Sequence, residues 1–464
     1  MRHTIYICIA ILAAALALSA RAAAPGAARH GGAAATAPAP AVLPTVEFTE
    51  YQLANGLRVI LAPTDAAPVV AVCVTYNVGS FVEPPGRSGF AHLFEHLMFQ
   101  GSKNLPKGAF DAVVVNSGGD DNGETWPDRT AFYMVMPANR LEAALYVHAD
   151  TMEHLNVDQE NLDNQRTVVQ EERRRDVENK PYGRLYETLL DHAYTNFAYR
   201  HPPIGSMADI DKADLDDVTW FYETYYAPNN AVLSIVGDFD GRDARAWVAQ
   251  HFGPIPTGPD PVMPSLDEPP QTSEKRVKLD DPLAPFPAYA AAYRIPSGDH
   301  ADFAALDMLS VILAGGKSAR PWREVVEKRQ LATSVRADAE PRRGPGLFTV
   351  NLEFGPGQSV EAAERALEAE IARIRKDGVT ESEVGTARVQ RRRNVLAARR
   401  SALERAIALG ANAVMFGDAG RINTYQERFQ NVTPEDVRRV ARAYLRPENR
   451  TVVVATPAPV GDAA

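Results

Sequence analysis

The chain has 464 residues, 45% of them hydrophobic and 23% charged, and a formal net charge of −10. That length is more than one ordinary hydrophobic core serves, so two domains are expected. The composition is globular, neither disordered nor membrane-embedded, and the acidic balance, with no basic stripe to neutralise phosphates, argues against a nucleic-acid partner.

Arg2 and His3 precede an apolar run, Ile5 to Leu18, that is too short to span a bilayer comfortably. Ala20-Arg21-Ala22 then offers the small-x-small pattern that signal peptidase accepts. Residues 1–22 read as a cleaved signal peptide, and no lipoprotein-type cysteine follows. Residues 23–44, Ala, Pro and Gly for the most part, read as a flexible tether. Of two cysteines only Cys73 remains after the leader, so no intrachain disulfide forms and any zinc site must use His and carboxylates. Export is therefore expected, to the periplasm of a Gram-negative bacterium, with no transmembrane segment in the mature chain.

Val69 to Tyr76 is a β-rich apolar run that buries Cys73, and Phe90 to Phe99 is an apolar helix. Asn161 to Glu178 is helical in pattern. His148 and His154, on a helix with Asp150 and Glu153, read as helix surface; His192 and His201 flank an aromatic loop and read as structural. The arginine runs Arg173 to Arg175 and Arg391 to Arg393 read as solvated helix faces. Pro254 to Glu274 holds seven prolines, which prevents helix and central strand.

The halves on either side repeat. Asp217-Val218, Tyr225, Pro228 and Asn230 recur 219 residues on as Asp436-Val437, Tyr444, Pro447 and Asn449, each set followed by a strand, Ala231 to Val236 and Thr451 to Ala455. In front, Tyr289 to Tyr293 and the helix Phe303 to Leu313 match the earlier strand and helix loosely. Duplication explains both matches: an α+β protein of two homologous domains, 45–253 and 279–464, joined by a linker over 254–278.

The chemistry concentrates at His92, Glu95 and His96, in Gly89-Phe90-Ala91-His92-Leu93-Phe94-Glu95-His96-Leu97. Positions i, i+3 and i+4 share one helix face. Three ionisable groups on a helix otherwise apolar all round need compensation. A zinc ion bound by the two imidazoles supplies it, with Glu95 taking the proton of the metal's water and passing it to the leaving amine. This is the HxxEH order, the reverse of HExxH. Catalytic zinc needs a third protein ligand; Glu171 and Glu172 are candidates, and pattern alone does not choose between them. Gly315-Gly316-Lys317-Ser318 reads as a helix end rather than a phosphate loop, because Val311 stands where the first glycine is needed.

Gly79-Ser80, Glu83-Pro84-Pro85-Gly86-Arg87, Gly89, Ala91 to His96 and Gln100-Gly101-Ser102 together resemble the pitrilysin/insulinase (M16) family of zinc peptidases. The likeness runs from Val46 to Pro457 and, more narrowly, resembles the short-chain branch that includes the mitochondrial processing peptidase β-subunit. It implies two homologous domains, each an antiparallel sheet flanked by helices, with four such domains usually closing into a chamber. It implies a third ligand seven residues before an Asn; Asn179 is that residue and points to Glu172. The glutamate usual seven residues before that ligand is Gln165 here, a neutral neighbour of the metal site.

Gly118 to Thr125 resembles the family's GGxxNAxT segment, which implies that Asn122, Gly123 and Thr125 bind substrate along an edge strand; Gly123 stands where Ala is usual. From residue preference alone, Asp121-Asn122-Gly123 says only turn. Family members that act alone carry an Arg and a Tyr in the second half that grip the substrate carbonyl. Val326 and Thr333 stand at those positions; Arg320 or Arg323 is a candidate to replace the Arg, and nothing replaces the Tyr. The resemblance thus implies a zinc endopeptidase acting on short or unfolded peptides, one zinc per chain, paired with a homologous subunit that supplies Arg and Tyr. The alternative is a non-catalytic structural or assembly subunit of the same fold.

Overall fold

The computed structural model describes residues 44–458; the expected signal peptide, and all of the expected tether except Pro44, lie outside the described residues. Two sheets organise the chain, one in each half. The first is built from β1 (Thr49–Gln52), β2 (Arg58–Pro63), β3 (Val69–Tyr76), β4 (Asp120–Trp126), β5 (Arg129–Pro137) and β6 (Ala231–Gly237), in the order β1-β2-β6-β3-β5-β4. The second holds β7 (Lys275–Asp281), β8 (Ala288–Ile295), β9 (Ser334–Ala339), β10 (Gly346–Glu353) and β11 (Arg450–Pro457), in the order β7-β11-β8-β10-β9. Each is antiparallel but for one parallel pair, β2 with β6 and β7 with β11.

The repeat is visible in hydrogen bonds. The side chain of Asp214 caps the helix Leu215–Tyr225 and that of Thr433 caps the helix Pro434–Tyr444. After each helix an asparagine amide donates back to the last tyrosine's carbonyl, Asn230 to Tyr225 at 2.8 Å and Asn449 to Tyr444 at 2.7 Å. All of these pairs keep the offset of 219.

Val69–Tyr76 reads as one unbroken apolar run because both faces of β3 are covered. Val70, Val72, Val74 and Tyr76 share a core with the helix Phe90–Leu97. Ala71 and Cys73 face the helix Ala402–Phe416, which belongs to the second half and lays Ala406, Leu409 and Ala413 on the first sheet. A Cβ on Gly410 would collide with Thr75 Oγ1, so close approach depends on that glycine. In exchange, the helix Leu185–Ala193 of the first half lies on β8 and β11, with Leu189, Leu190 and Ala193 in one core with Ala290, Ala292 and Val453. Neither half closes its core alone.

The proline-rich stretch carries no helix or strand from Pro254 to Glu274. Residues 275–278, expected as the end of the linker, are instead the start of β7, where Val277 and Leu279 alternate with outward-facing charges along a sheet edge. Two further expectations change. His148 and Asp150 are buried rather than on a helix surface: the helix Leu141–His154 packs against the first sheet, and Asp150 accepts from Ser102 and, at 2.5 Å, from Asn104. Arg173 is buried too, whereas Arg174 and Arg175 are solvated, and in the second run Arg391 is half-buried in an ion pair with Asp307 while Arg393 is exposed. Among the described residues no helix is long and apolar enough to cross a membrane.

Candidate metal centre

The helix Phe90–Leu97 starts at Gly89, whose φ of 95° gives a left-handed entry, and no side chain of its own caps it. The cap comes from Glu83, which accepts from Gly89 N at 2.9 Å and Ala91 N at 2.7 Å and so satisfies two of the helix's orphan donors. Burial pushes the Glu83 carboxyl well above its ordinary range, and His201 Nδ1 lies 3.5 Å from it. All eight helix residues are buried; Phe94 stacks on Tyr222 and Tyr226 while His92, Glu95 and His96 face the other way.

The helix Gln159–Arg173, capped by the Asp158 side chain, buries a stripe of Leu162, Gln165, Val169 and Glu172, spaced three, four and three apart. That stripe separates the two candidate glutamates. The Glu171 side chain is 70% exposed and pairs with Arg174; the Glu172 side chain is 3% exposed and faces the histidines. Glu172 Oε2 lies 3.3 Å from His96 Nε2 and 3.7 Å from His92 Nε2. One donor atom from each of the three residues falls within 4.8 Å of the others. Tetrahedral zinc with donors at about 2.0–2.1 Å spaces them about 3.3–3.4 Å apart.

Among the described residues neither Glu172 oxygen, though buried, accepts an aligned hydrogen bond, and His92 Nδ1 has no hydrogen-bond partner. Such atoms are costly to bury, and a dication among them answers that cost. Burial pushes the Glu172 carboxyl up, but the imidazoles beside it outweigh this and hold it below its ordinary range. Burial lowers His92 to about 4; His96, which burial also disfavours as a cation, is nonetheless raised by Glu172, with Glu95 and a Gln165 hydrogen bond adding. A proton on His96 and a metal ion compete for one lone pair, so metal binding there releases a proton. The two histidines and the glutamate fit zinc.

Burial also lifts the Glu95 carboxyl to about 7, against the Thr125 hydroxyl, which donates to Glu95 Oε2 at 2.6 Å. Thr125, expected to bind substrate, thus touches the general-base candidate. Gly123 passes the same carboxylate: a Cβ there would stand 2.9 Å from Glu95 Cγ. Asn122 turns its Oδ1 onto Gly123 N at 2.9 Å. All three lie on β4, which among the described residues pairs with β5 alone and is the outermost strand of its sheet. Asp121-Asn122-Gly123 is extended, not a turn, because the ladder to β5 overrides local preference. Arg320 is engaged by both oxygens of Glu383, Arg323 is exposed, and the Thr333 hydroxyl donates to Glu353 O at 3.0 Å. Residue patterns had singled out neither Thr125 as a partner of Glu95 nor Glu83 as a cap.

A two-domain α+β chain with a His, His, Glu cluster beside an edge strand is the arrangement of a zinc-peptidase family. The model described as "Insulinase (Peptidase family M16)" matches residues 58–205 and that described as "Peptidase M16 inactive domain" matches 212–390. The chain belongs to the M16, or pitrilysin/insulinase, family. Among its relatives, Zinc protease PqqE of Helicobacter pylori is 30% identical over 408 residues, covering 87% of this chain and 92% of the relative. A protease from Helicobacter pylori has a similar structure, with a TM-score of 0.84 at 30% identity, covering 89% of this chain and 100% of that one. The periplasmic protease PqqL of Escherichia coli shares the fold, with a TM-score of 0.73 at 19% identity; 90% of this chain matches 48% of that one.

Proposed function

We propose that this chain is a zinc-dependent endopeptidase for short or unfolded peptides, exported to the periplasm of a Gram-negative bacterium. The observation that carries the reading is the buried Glu172 carboxylate, whose Oε2 lies 3.3 and 3.7 Å from two imidazole nitrogens while neither oxygen accepts an aligned hydrogen bond from the described residues. His92, His96 and Glu172 hold the metal, with Gln165 beside His96. Zinc, when bound, supplies Lewis acidity and lowers the pKa of water to about 7. Glu95, oriented by Thr125, accepts the water proton and delivers it to the departing amine. The outer edge of β4, with Asn122 and Gly123, offers backbone groups to an extended substrate.

The second half offers no tyrosine at Thr333, and Arg320 is held by Glu383. The reading therefore includes a homologous partner subunit that supplies an Arg and a Tyr; PqqL, about twice this chain's matched length, is consistent with two such units acting together. The test is zinc content and peptide hydrolysis of the purified mature chain, alone and with a homologous subunit. Stoichiometric zinc with weak activity alone and strong activity in the pair is expected. Zinc with no hydrolysis in any pairing, or no zinc, would leave the non-catalytic subunit as the reading.

A further inference from the structure

The ligands come from two helices, and their separation must be set by something other than the metal. We propose that Arg173 is a positioning residue that fixes Glu172 relative to the histidine pair through the loop 201–206; this rests on the zinc reading above. Arg173 directly follows Glu172 and ends its helix. Its side chain is 7% exposed, while those of Arg174 and Arg175 are 46% and 57% exposed. The buried guanidinium donates two hydrogen bonds, from Nη1 to Gly205 O and from Nη2 to Glu187 at 2.9 Å, and its Nε lies 3.2 Å from Glu178 in an ion pair without an aligned hydrogen bond.

Gly205 is the joint between the helices. It has φ 67°, and a Cβ on it would collide with Ser88 O and with Gly89, the residue from which the histidine helix starts. Ser206 N donates to Ser88 Oγ at 3.1 Å, and Asp209 Oδ2 accepts from Ser88 N at 3.1 Å and from Ser88 Oγ at 2.6 Å. The path from Glu172 to His92 thus runs through Arg173, one carbonyl, and a backbone-on-backbone contact with no flexible side chain beyond the guanidinium. A planar fork can meet three acceptors at once; a lysine ammonium on a flexible stem cannot hold that geometry. Partners behind a metal ligand tune affinity by roughly 10- to 100-fold.

The experiment is zinc affinity of the full mature chain by chelator competition, beside the melting temperature of the metal-free protein, for Arg173→Lys, Arg173→Gln and Glu187→Gln. Arg166→Gln serves as control, since Arg166 lies in the same helix but bonds Ala213 O and Asp163 rather than the loop 201–206. Expected are affinity losses of about 10- to 100-fold for the Arg173 variants, a smaller loss for Glu187→Gln, and none for Arg166→Gln even where its melting temperature falls. If the Arg173 and Arg166 variants melt lower alike and every folded variant binds zinc as wild type does, Arg173 only stabilises the fold and the inference is overturned. Should Arg173 variants fail to fold, unchanged affinity in Glu187→Gln overturns it as well. Wild type without zinc would bring down the zinc reading and this inference together, a result distinct from the others.

Discussion

The helices Phe90–Leu97 and Phe303–Ala314 hold matching places in the two halves. Each packs on the edge strand of its sheet, β4 or β9, on the repeated helix, Leu215–Tyr225 or Pro434–Tyr444, and on one flanking helix, Gln159–Arg173 or Glu381–Ala397. Each also buries charge, but the charges are treated differently. On the second helix Asp307 pairs through Oδ1 with Arg391, and its Oδ2 accepts from Tyr425 at 2.9 Å. Arg391 stands 219 residues after Glu172, at the offset of the repeat. In the first half, the flanking helix offers Glu172 to two histidines, and among the described residues neither of its oxygens accepts an aligned hydrogen bond. One scaffold thus carries a closed ion pair on one side and an open donor set on the other.

Breaking each side should give different losses. Glu95→Gln is expected to keep stoichiometric zinc and lose roughly 10²- to 10⁴-fold in hydrolysis, the range for a general acid–base, whereas His96→Ala should lose zinc and hydrolysis together; metal analysis beside a peptide assay separates them. Arg391→Met leaves Asp307 buried without its cation, and also removes the bonds to Asp307 O and Ser310 Oγ. Removing one partner of a buried pair costs about 3–5 kcal/mol, so denaturant unfolding should shift by that order, while zinc content of the folded protein stays at wild type. Loss of zinc in Arg391→Met would deny that the two clusters are separate.

How far the sequence reached follows the same division. The continuous apolar run of β3 and the histidine spacing were legible because each is a local signal, period and face. Glu172 continues the buried stripe of Leu162, Gln165 and Val169, but Val168 offers Glu171 the same spacing, and only packing, which leaves Val168 exposed, separates the two glutamates. Arg173 was misread as solvated because it sits in a run of three arginines, and composition does not tell which of three neighbours points inward. The extended Asp121-Asn122-Gly123 was illegible as strand because pairing to β5 is a long-range term. The helix exchange was illegible for a related reason: an Ala-rich face says that a helix is covered, not which sheet covers it.

That exchange yields a smaller, sharper test. Gly410→Val puts branched carbons where a Cβ already meets Thr75 Oγ1, and overpacking of this kind costs about 1–3 kcal/mol. A thermal shift of matching size is expected, with folded-state zinc unchanged. Unchanged stability would mean that the helix Ala402–Phe416 does not rest on the first sheet in solution.

An effect of comparable size is expected at Thr125, for which two roles compete. As a substrate-strand residue it would act through its backbone, and any side chain that keeps β4 paired would serve. As a partner of Glu95 it acts through its hydroxyl, whose 2.6 Å bond opposes the burial that lifts that carboxyl to about 7. Thr125→Val keeps shape and β-branching and removes only the donor. The lost hydrogen bond to a charged group corresponds to about 1.5–3 kcal/mol, or roughly 10- to 150-fold in kcat at full zinc occupancy, with KM nearly constant. Thr125→Ser restores the hydroxyl and should recover most of the rate. A Thr125→Val protein that loses KM and keeps kcat would return the residue to substrate binding and leave Glu95 oriented by its helix alone.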